Sequence, residues 1–305
     1  MEHKILTPEQ IKQVKGLGAL QDKRYTDVFN VRTITRNGRI TTDEVRAIAE
    51  AADKFGSGMV AMTSRLTIEI QGVPYENIDA MRAFLNEHGL DIGGTGPKVR
   101  PIVSCKGTTC VFGLIDTFSL SEKLHELYYI GYHGVKLPHK FKIAVGGCPN
   151  NCVKPDLNDL GIVGQRVIKH DLDACRGCKK CQVEQVCPIK IASVKEGKLD
   201  TEGCNNCGRC LGKCPFHVCD EFEVGYKVYI GGRWGKRVAQ GQALEVILPT
   251  EEKVISLVEK AILLFKEQGV AGERFADTIN RIGFEKAQQM LLTDDILLRK
   301  DEILK

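Results

Sequence analysis

The chain has 305 residues, 43% hydrophobic and 27% charged, with a formal net charge of +4. Such a composition excludes a disordered chain, leaves room for two or three compact units, and is not basic enough to argue for nucleic acid. Met1-Glu2-His3-Lys4 leads into a mixed polar stretch and no run of about 18 apolar residues occurs, so neither secretion nor membrane insertion is expected and the cytoplasm is. Thirteen cysteines in that compartment read as metal ligands or redox thiols more readily than as disulfides.

In chain order, Phe29 to Ile34 reads as a strand. Thr41-Thr42-Asp43-Glu44 then opens a helix with capping hydroxyls and first-turn acids. Val45, Ile48 and Ala52 recur at helical spacing, and Gly56 ends the helix. Strand-like runs follow at Gly58–Thr63 and Leu66–Gln71, where Thr67 and Glu69 alternate with Ile68 and Ile70. A second helix from about Tyr75 carries Ile78, Met81 and Leu85 and stops near Gly89. The order is that of a ferredoxin-like α/β half. From Lys98 to Ile168 the reading is loops and short strands. Val224 to Gly231 returns to strand, and Thr250 caps an amphipathic helix with Val254, Leu257, Val258, Ala261 and Phe265 on one face.

Between these parts, cysteine density rises steeply from Cys175 to Cys219. Two runs occur: Cys175-x2-Cys178-x2-Cys181-x5-Cys187-Pro188 and Cys204-x2-Cys207-x2-Cys210-x3-Cys214-Pro215. In two-cluster ferredoxins three cysteines at two-residue gaps hold one [4Fe–4S] cluster, and the fourth comes from the other run. One cluster is therefore expected on Cys175, Cys178, Cys181 and Cys214, the other on Cys204, Cys207, Cys210 and Cys187. Zinc sites close on paired Cys-x2-Cys units instead. The segment has little apolar content, so metal would have to organise it, and it reads as an insertion into a larger α+β domain. Cys219 has no partner in this scheme and reads as a buried small apolar residue.

Cys105, Cys110, Cys148 and Cys152 form a second constellation, whose spacing suits one cubane cluster or one zinc. Nearby, Lys140-Phe141-Lys142-Ile143 alternates. On a strand, Lys140 and Lys142 share one face while Phe141, Ile143 and Val145 share the other. Two ammonium groups on an apolar backing suit an anion site, and a solvated edge strand is the plainer alternative.

Here the chain resembles the sulfite/nitrite reductase family, which pairs siroheme with a [4Fe–4S] cluster. The resemblance rests on Val31-Arg32-Thr33 through Gly38-Arg39-Ile40-Thr41-Thr42 and on Thr63-Ser64-Arg65-Leu66-Thr67-Ile68-Glu69-Ile70-Gln71-Gly72. Lys98-Val99-Arg100, Leu137-Pro138-His139-Lys140-Phe141-Lys142, Gly231-Gly232-Arg233-Trp234-Gly235 and Gly272-Glu273-Arg274-Phe275 add to it. The inserted ferredoxin module is typical of anaerobic and dissimilatory members, and the overall likeness is to the catalytic chain of anaerobic sulfite reductases. The family usually has five residues between its first two cluster cysteines; here four separate Cys105 from Cys110.

The resemblance implies an α+β protein in three parts. These are a ferredoxin-like half domain (residues 1–95), a siroheme and [4Fe–4S] domain (96–170 and 221–305) and an inserted 2[4Fe–4S] ferredoxin domain (171–220). It implies siroheme and three [4Fe–4S] clusters, with Cys105, Cys110, Cys148 and Cys152 holding one cluster and Cys152 bridging to siroheme iron. It places Arg65, Arg100, Lys140 and Lys142 over sulfite or nitrite, and Arg32, Arg36, Arg39, Thr108, Thr109 and Asn150 at the cofactor. The expected function is six-electron sulfite reduction, with nitrite reduction or a siroheme-free electron carrier or accessory subunit as alternatives. Ferredoxin or partner subunits would supply electrons. Because larger members carry two copies of the α/β half and this chain one, a homodimer or hetero-oligomer is expected.

Overall fold

A computed structural model describes residues 5–305; Met1–Lys4, read above as a polar start, lie outside the described residues. Thr7 and Gln10 form a reciprocal capping box that opens α1 (Pro8–Gly16), with Pro8 in the first turn where its missing N–H costs nothing. β1 (Ala19–Gln21) and β2 (Val28–Thr33) follow, then α2 (Thr42–Phe55), β3 (Val60–Met62), β4 (Ile68–Pro74), a 3₁₀ turn and α3 (Ile78–Glu87). The four strands pair antiparallel in the order β1-β2-β4-β3. α2 and α3 cover the sheet through Ile48, Ala51, Ile78, Met81 and Leu85, all buried among Phe29, Val31 and Ile70.

The structure departs from the sequence reading of this half in two ways. It adds α1 and β1, and Val45 is 47% exposed rather than on the buried face of α2. The buried stripe runs through Glu44, Ala47, Ile48, Ala51 and Ala52, so the alanines pack against the sheet and Val45 falls off the seam.

The larger part begins with β5 (Val103–Ser104) and continues through α4 (Thr117–Leu124), β6 (Ile143–Gly146) and β7 (Leu160–Lys169). α4 runs on into a π-helical stretch, His125–Ile130. Loops and short strands, expected for this region, are thus interrupted by a helix. Its apolar residues Leu120, Leu124 and Tyr128 form a helical face, anchored where Tyr128 Oη donates to the Ile255 carbonyl at 2.7 Å. The cysteine-rich segment holds α5 (Gln182–Val186), β8 (Ser193–Lys195) and β9 (Lys198–Asp200). The chain returns as β10 (Glu221–Ile230), β11 (Gln242–Leu248) and α6 (Glu251–Gln268). It closes with four short helices that the sequence does not announce: α7 (Phe275–Ile282), α8 (Phe284–Leu292), α9 (Asp295–Leu298) and α10 (Lys300–Leu304).

The second sheet has the order β11-β10-β7-β6-β5, parallel from β5 to β7 and antiparallel from β7 outward. α6 lies against it with Lys260–Phe265 buried as an unbroken run, so its buried residues exceed one stripe. Phe141, Phe265 and Phe275 meet at its end with ring centroids 5.1–5.9 Å apart. Each such ring contributes on the order of 2 kcal/mol by burial. A third, smaller apolar cluster, Ile168, Val183, Ala192, Leu199, Val218 and Cys219, sits within the cysteine-rich segment. Among the described residues no helix is long and apolar enough to cross a membrane.

Candidate active site and cysteine centres

The phenylalanine trio positions the cations. Phe141 is buried between half-exposed Lys140 and Lys142, so the alternation read from sequence is present in the extended lead-in to β6, although regular strand starts only at Ile143. Phe275 directly follows Arg274, so the same packing brings Arg274 toward the lysines. Arg274 Nη2 donates to both carboxylate oxygens of Asp159, each at 2.9 Å, and both side chains are buried. Asp159 also accepts from the Lys142 backbone N–H at 2.9 Å.

Arg65 arrives from the other unit on a turn before β4, where Leu66 adopts φ 59°. Its guanidinium donates to Asn158 Oδ1 (2.9 Å), twice to the Pro101 carbonyl (3.2 and 2.6 Å) and to the Ile143 carbonyl (3.1 Å). Four of its five N–H groups are thus committed to holding the two units together. Arg100 donates to the Gly94 carbonyl, while its Nε is buried without a partner. The structure therefore brings Arg65, Arg100, Lys140 and Lys142 together around one carboxylate, and adds Arg274 and Asp159, to which the sequence assigns no role. The motif Gly272–Phe275 is visible in the sequence; the pairing across 115 positions is not.

The electrostatics follow from burial and mutual repulsion. Burial, with Arg65, Arg274 and Lys140 nearby, lowers the Lys142 ammonium to about 8. Burial also lowers Arg65 and Arg100 to about 10, and Lys140 shifts the same way. At neutral pH the cluster keeps its charge but holds it in a poorly solvated state that a bound anion relieves. A cavity of about 190 Å³ opens here, lined by Arg65, Lys142, Lys154, Asn158 and Trp234.

The remaining cofactor contacts expected from sequence scatter. Arg32 pairs with Glu69 at 3.2 Å, and Arg36 pairs with Glu44. Arg39 stacks over the Phe118 ring at 4.3 Å. Arg36 and Arg39 line a cavity of about 240 Å³ together with Asn37, whose buried Oδ1 has no partner. Thr108 Oγ1 donates to Asp116 Oδ1 at 2.7 Å, and Thr109 Oγ1 donates to the Lys106 carbonyl at 3.2 Å, so both hydroxyls serve the local loop.

The thiols of Cys105, Cys110 and Cys152 lie close enough to Cys148 to push its thiol up, with burial the larger cause. Two glycines allow this: a Cβ on Gly107 would sit 2.9 Å from Gly147 Cα, so the loops meet backbone to backbone. The four-residue gap between Cys105 and Cys110 is taken up by one 3₁₀ turn, Gly107–Thr109. Cys105, Cys110 and Cys148 are half-buried and Cys152 is exposed.

In the inserted segment Cys187, Cys204, Cys207 and Cys210 line one small cavity. Backbone N–H groups near Ile189–Ala192 favour the Cys187 thiolate, and the Asn206 N–H donates to Cys204 Sγ at 3.3 Å. Cys214 and Cys181 both neighbour Cys219. Four sulfurs converging with N–H donors fit a cubane cluster, and the donor set is that of thiolate iron sites. Cys219 is fully buried, as expected. Its surroundings are not simply apolar, since its sulfur, Cys210 and His170 lie within 4.8 Å of one another.

Residues 95–295 match the family model described as the nitrite and sulphite reductase 4Fe–4S domain, and residues 21–88 match the nitrite/sulfite reductase ferredoxin-like half domain. The chain belongs to the nitrite and sulfite reductase family. It is 28% identical over 271 residues to the coenzyme F420-dependent sulfite reductase of Methanocaldococcus jannaschii, covering 87% of this chain but 42% of that protein. The likeness to one chain of the anaerobic sulfite reductase of Salmonella typhimurium is 31% over 147 residues, 43% of this chain and 42% of that one. The resemblance to the anaerobic enzyme drawn from sequence therefore holds for less than half of the chain. The crystal structure of dissimilatory sulfite reductase I superposes with a TM-score of 0.70 at 24% identity, covering 88% of this chain and 70% of that one, and shares the fold.

Proposed function

We propose that the chain is a siroheme-dependent reductase that takes sulfite to sulfide, with electrons relayed through three [4Fe–4S] clusters. The observation that carries this reading is the group of five cations around Asp159, with Arg100 Nε buried and unpartnered beside them. An electron carrier has no use for such a site. Arg36 and Arg39, which line one cavity, suit a carboxylate-rich macrocycle whose acid groups they would meet.

When bound, siroheme joined to a [4Fe–4S] cluster supplies the iron and the electrons for six-electron reduction. Cys105, Cys110, Cys148 and Cys152 would hold that cluster, and Cys152, the most exposed of the four, would be the shared ligand. Lys140 and Lys142 compensate the oxyanion's charge. Lys142, lowered to about 8, holds a proton that it can release near neutral pH, as an arginine cannot. Arg65, tied by four hydrogen bonds, fixes the site's wall more than it reaches for substrate. The balanced change is HSO3⁻ + 6 e⁻ + 6 H⁺ → HS⁻ + 3 H2O, and Lys142 is the group of this set best suited to pass the protons.

The boundaries 1–95, 96–170 with 221–305, and 171–220 are our division of the chain. We also infer a homodimer: Val60 and Met62 are exposed on β3, an edge strand with one neighbour, which supports pairing with a second chain. Nitrite reduction by the same site is the second reading, since the cations suit either anion. Anaerobic purification, pigment extraction and assay of sulfite and nitrite with a reduced viologen test the proposal. An iron isobacteriochlorin spectrum with sulfide release is expected; its absence leaves only the carrier.

A further inference from the structure

The two proposed clusters of the inserted segment differ in what surrounds their sulfurs. Cys187, Cys204, Cys207 and Cys210 have neutral chain neighbours apart from Arg209, which stacks on the Phe112 ring at 4.6 Å. Cys175, Cys178, Cys181 and Cys214 each have a cation next in sequence: Arg176, Lys179, Lys180 and Lys213. All four cations are exposed, and none has an ion pair among the described residues. Acids near these cations include Asp171, whose carboxylate accepts the backbone N–H groups of Asp173 and Ala174, Asp173, and exposed Glu196 beside Gly197, whose backbone lies against Gly177. Leu172 and Phe216 add exposed apolar surface on either side of the same cysteines.

The segment's attachment fixes which end faces the body of the protein. Arg166 of β7 bridges to Cys207, its N–H donating to the Asn206 carbonyl at 2.8 Å. A Cβ on Gly208 would lie 2.6 Å from Arg166 Cδ, so this contact is close. Cys207 and Arg209 share a cavity of about 450 Å³ with Phe112, Cys148 and Asn150. The Cys207 side therefore faces the Cys148 loop; Cys175, Cys178, Cys181 and Cys214 line none of that cavity, whereas Lys213 does and so belongs to the inner side.

We propose that the face carrying Arg176, Lys179 and Lys180 is the docking surface for an acidic one-electron donor protein, and that electrons enter at the cluster held by Cys175, Cys178, Cys181 and Cys214. The inference rests on the two-cluster reading of the segment. One electron leaves the donor's reduced iron–sulfur cluster, which is oxidised, and reduces the cluster behind the cationic rim; no bond is made or broken and no proton moves. The rim steers an acidic partner, and Leu172 and Phe216 give the dry contact between them.

The test is stopped-flow reduction of the holoprotein by a reduced acidic two-[4Fe–4S] ferredoxin, followed by cluster bleaching with no sulfite present. The doubly substituted Lys179→Glu/Lys180→Glu protein should react about tenfold more slowly at low salt. The difference should collapse at about 1 M salt, where the screening length is about 3 Å. Photoreduced 5-deazaflavin, a small uncharged reductant, should reduce both proteins equally. Arg176→Glu is the second variant, used if the first loses iron. Equal rates with ferredoxin in an iron-replete variant overturn the docking surface. Iron and acid-labile sulfide analysis tests the cluster reading separately: a segment without clusters sinks that reading, whereas a full complement with donor-insensitive rates sinks only the docking.

Discussion

At the scale of single residues, Lys142 is the sharpest probe of the site. Its ammonium, lowered to about 8, is charged below that pH and neutral above it, so the anion site should weaken as pH rises. Nitrite keeps one charge throughout this range, so its dissociation constant, read from the pigment spectrum, should climb through pH 8 by up to about tenfold per pH unit. Lys142→Ala should abolish that step and cut turnover while iron content stays intact; loss of iron instead would make Lys142 structural. Asp159→Asn tests the other side of the balance. It strands Arg274 in a buried place without a counter-charge, and should destabilise the protein by about 3–5 kcal/mol, seen as a lowered Tm. The lysine pair is legible in the sequence because alternation is a one-dimensional signal. Asp159 is not: it stands at the head of an apolar run as any turn residue would, and its partner comes from the residue that caps α7, 115 positions on.

Among the elements, the paired cysteine loops are the least tolerant of change. Gly107→Ala would drive a methyl against Gly147 Cα and Thr117, so the loops would part and the protein should lose about one cluster's worth of iron. Iron and sulfide counts check this, and a full complement would mean the loops can shift. The capping hydroxyls of α2 and α6 and the cysteine runs can be read directly, because each lies within a few neighbouring positions. The face of α2 is harder to read because Val45 outweighs alanine in hydropathy, while alanines are what pack against the sheet. The helices after Phe275 are too short to show a period, and α4 hides its face where it passes into π-helical turns.

For the whole molecule, Arg65 is a clasp as much as a site residue, since it binds carbonyls at Pro101 and Ile143 from across the unit boundary. Arg65→Lys keeps a charge but forfeits the fork, so it should loosen the two units and lower Tm even where anion binding persists. Calorimetry would show the transition broadening or splitting. The inferred homodimer is checked by sedimentation of the holoprotein: a monomer with full pigment and activity would refute it.

The pairing of β7 with β10 carries a last consequence. Lys169 stands opposite Glu221, so the chain leaves the sheet and re-enters it at facing positions of one antiparallel ladder. Geometrically the whole segment between is the loop of a hairpin. A loop whose ends already meet can be shortened without moving its stem, and closure entropy changes only slowly with length. Replacing residues 170–220 by Asn-Gly, the turn that suits two-residue hairpins, should leave a folded protein with its body cluster and without the other two. The body of the protein and the inserted segment are joined like a plug to a socket, and each can be redesigned while the other is left alone.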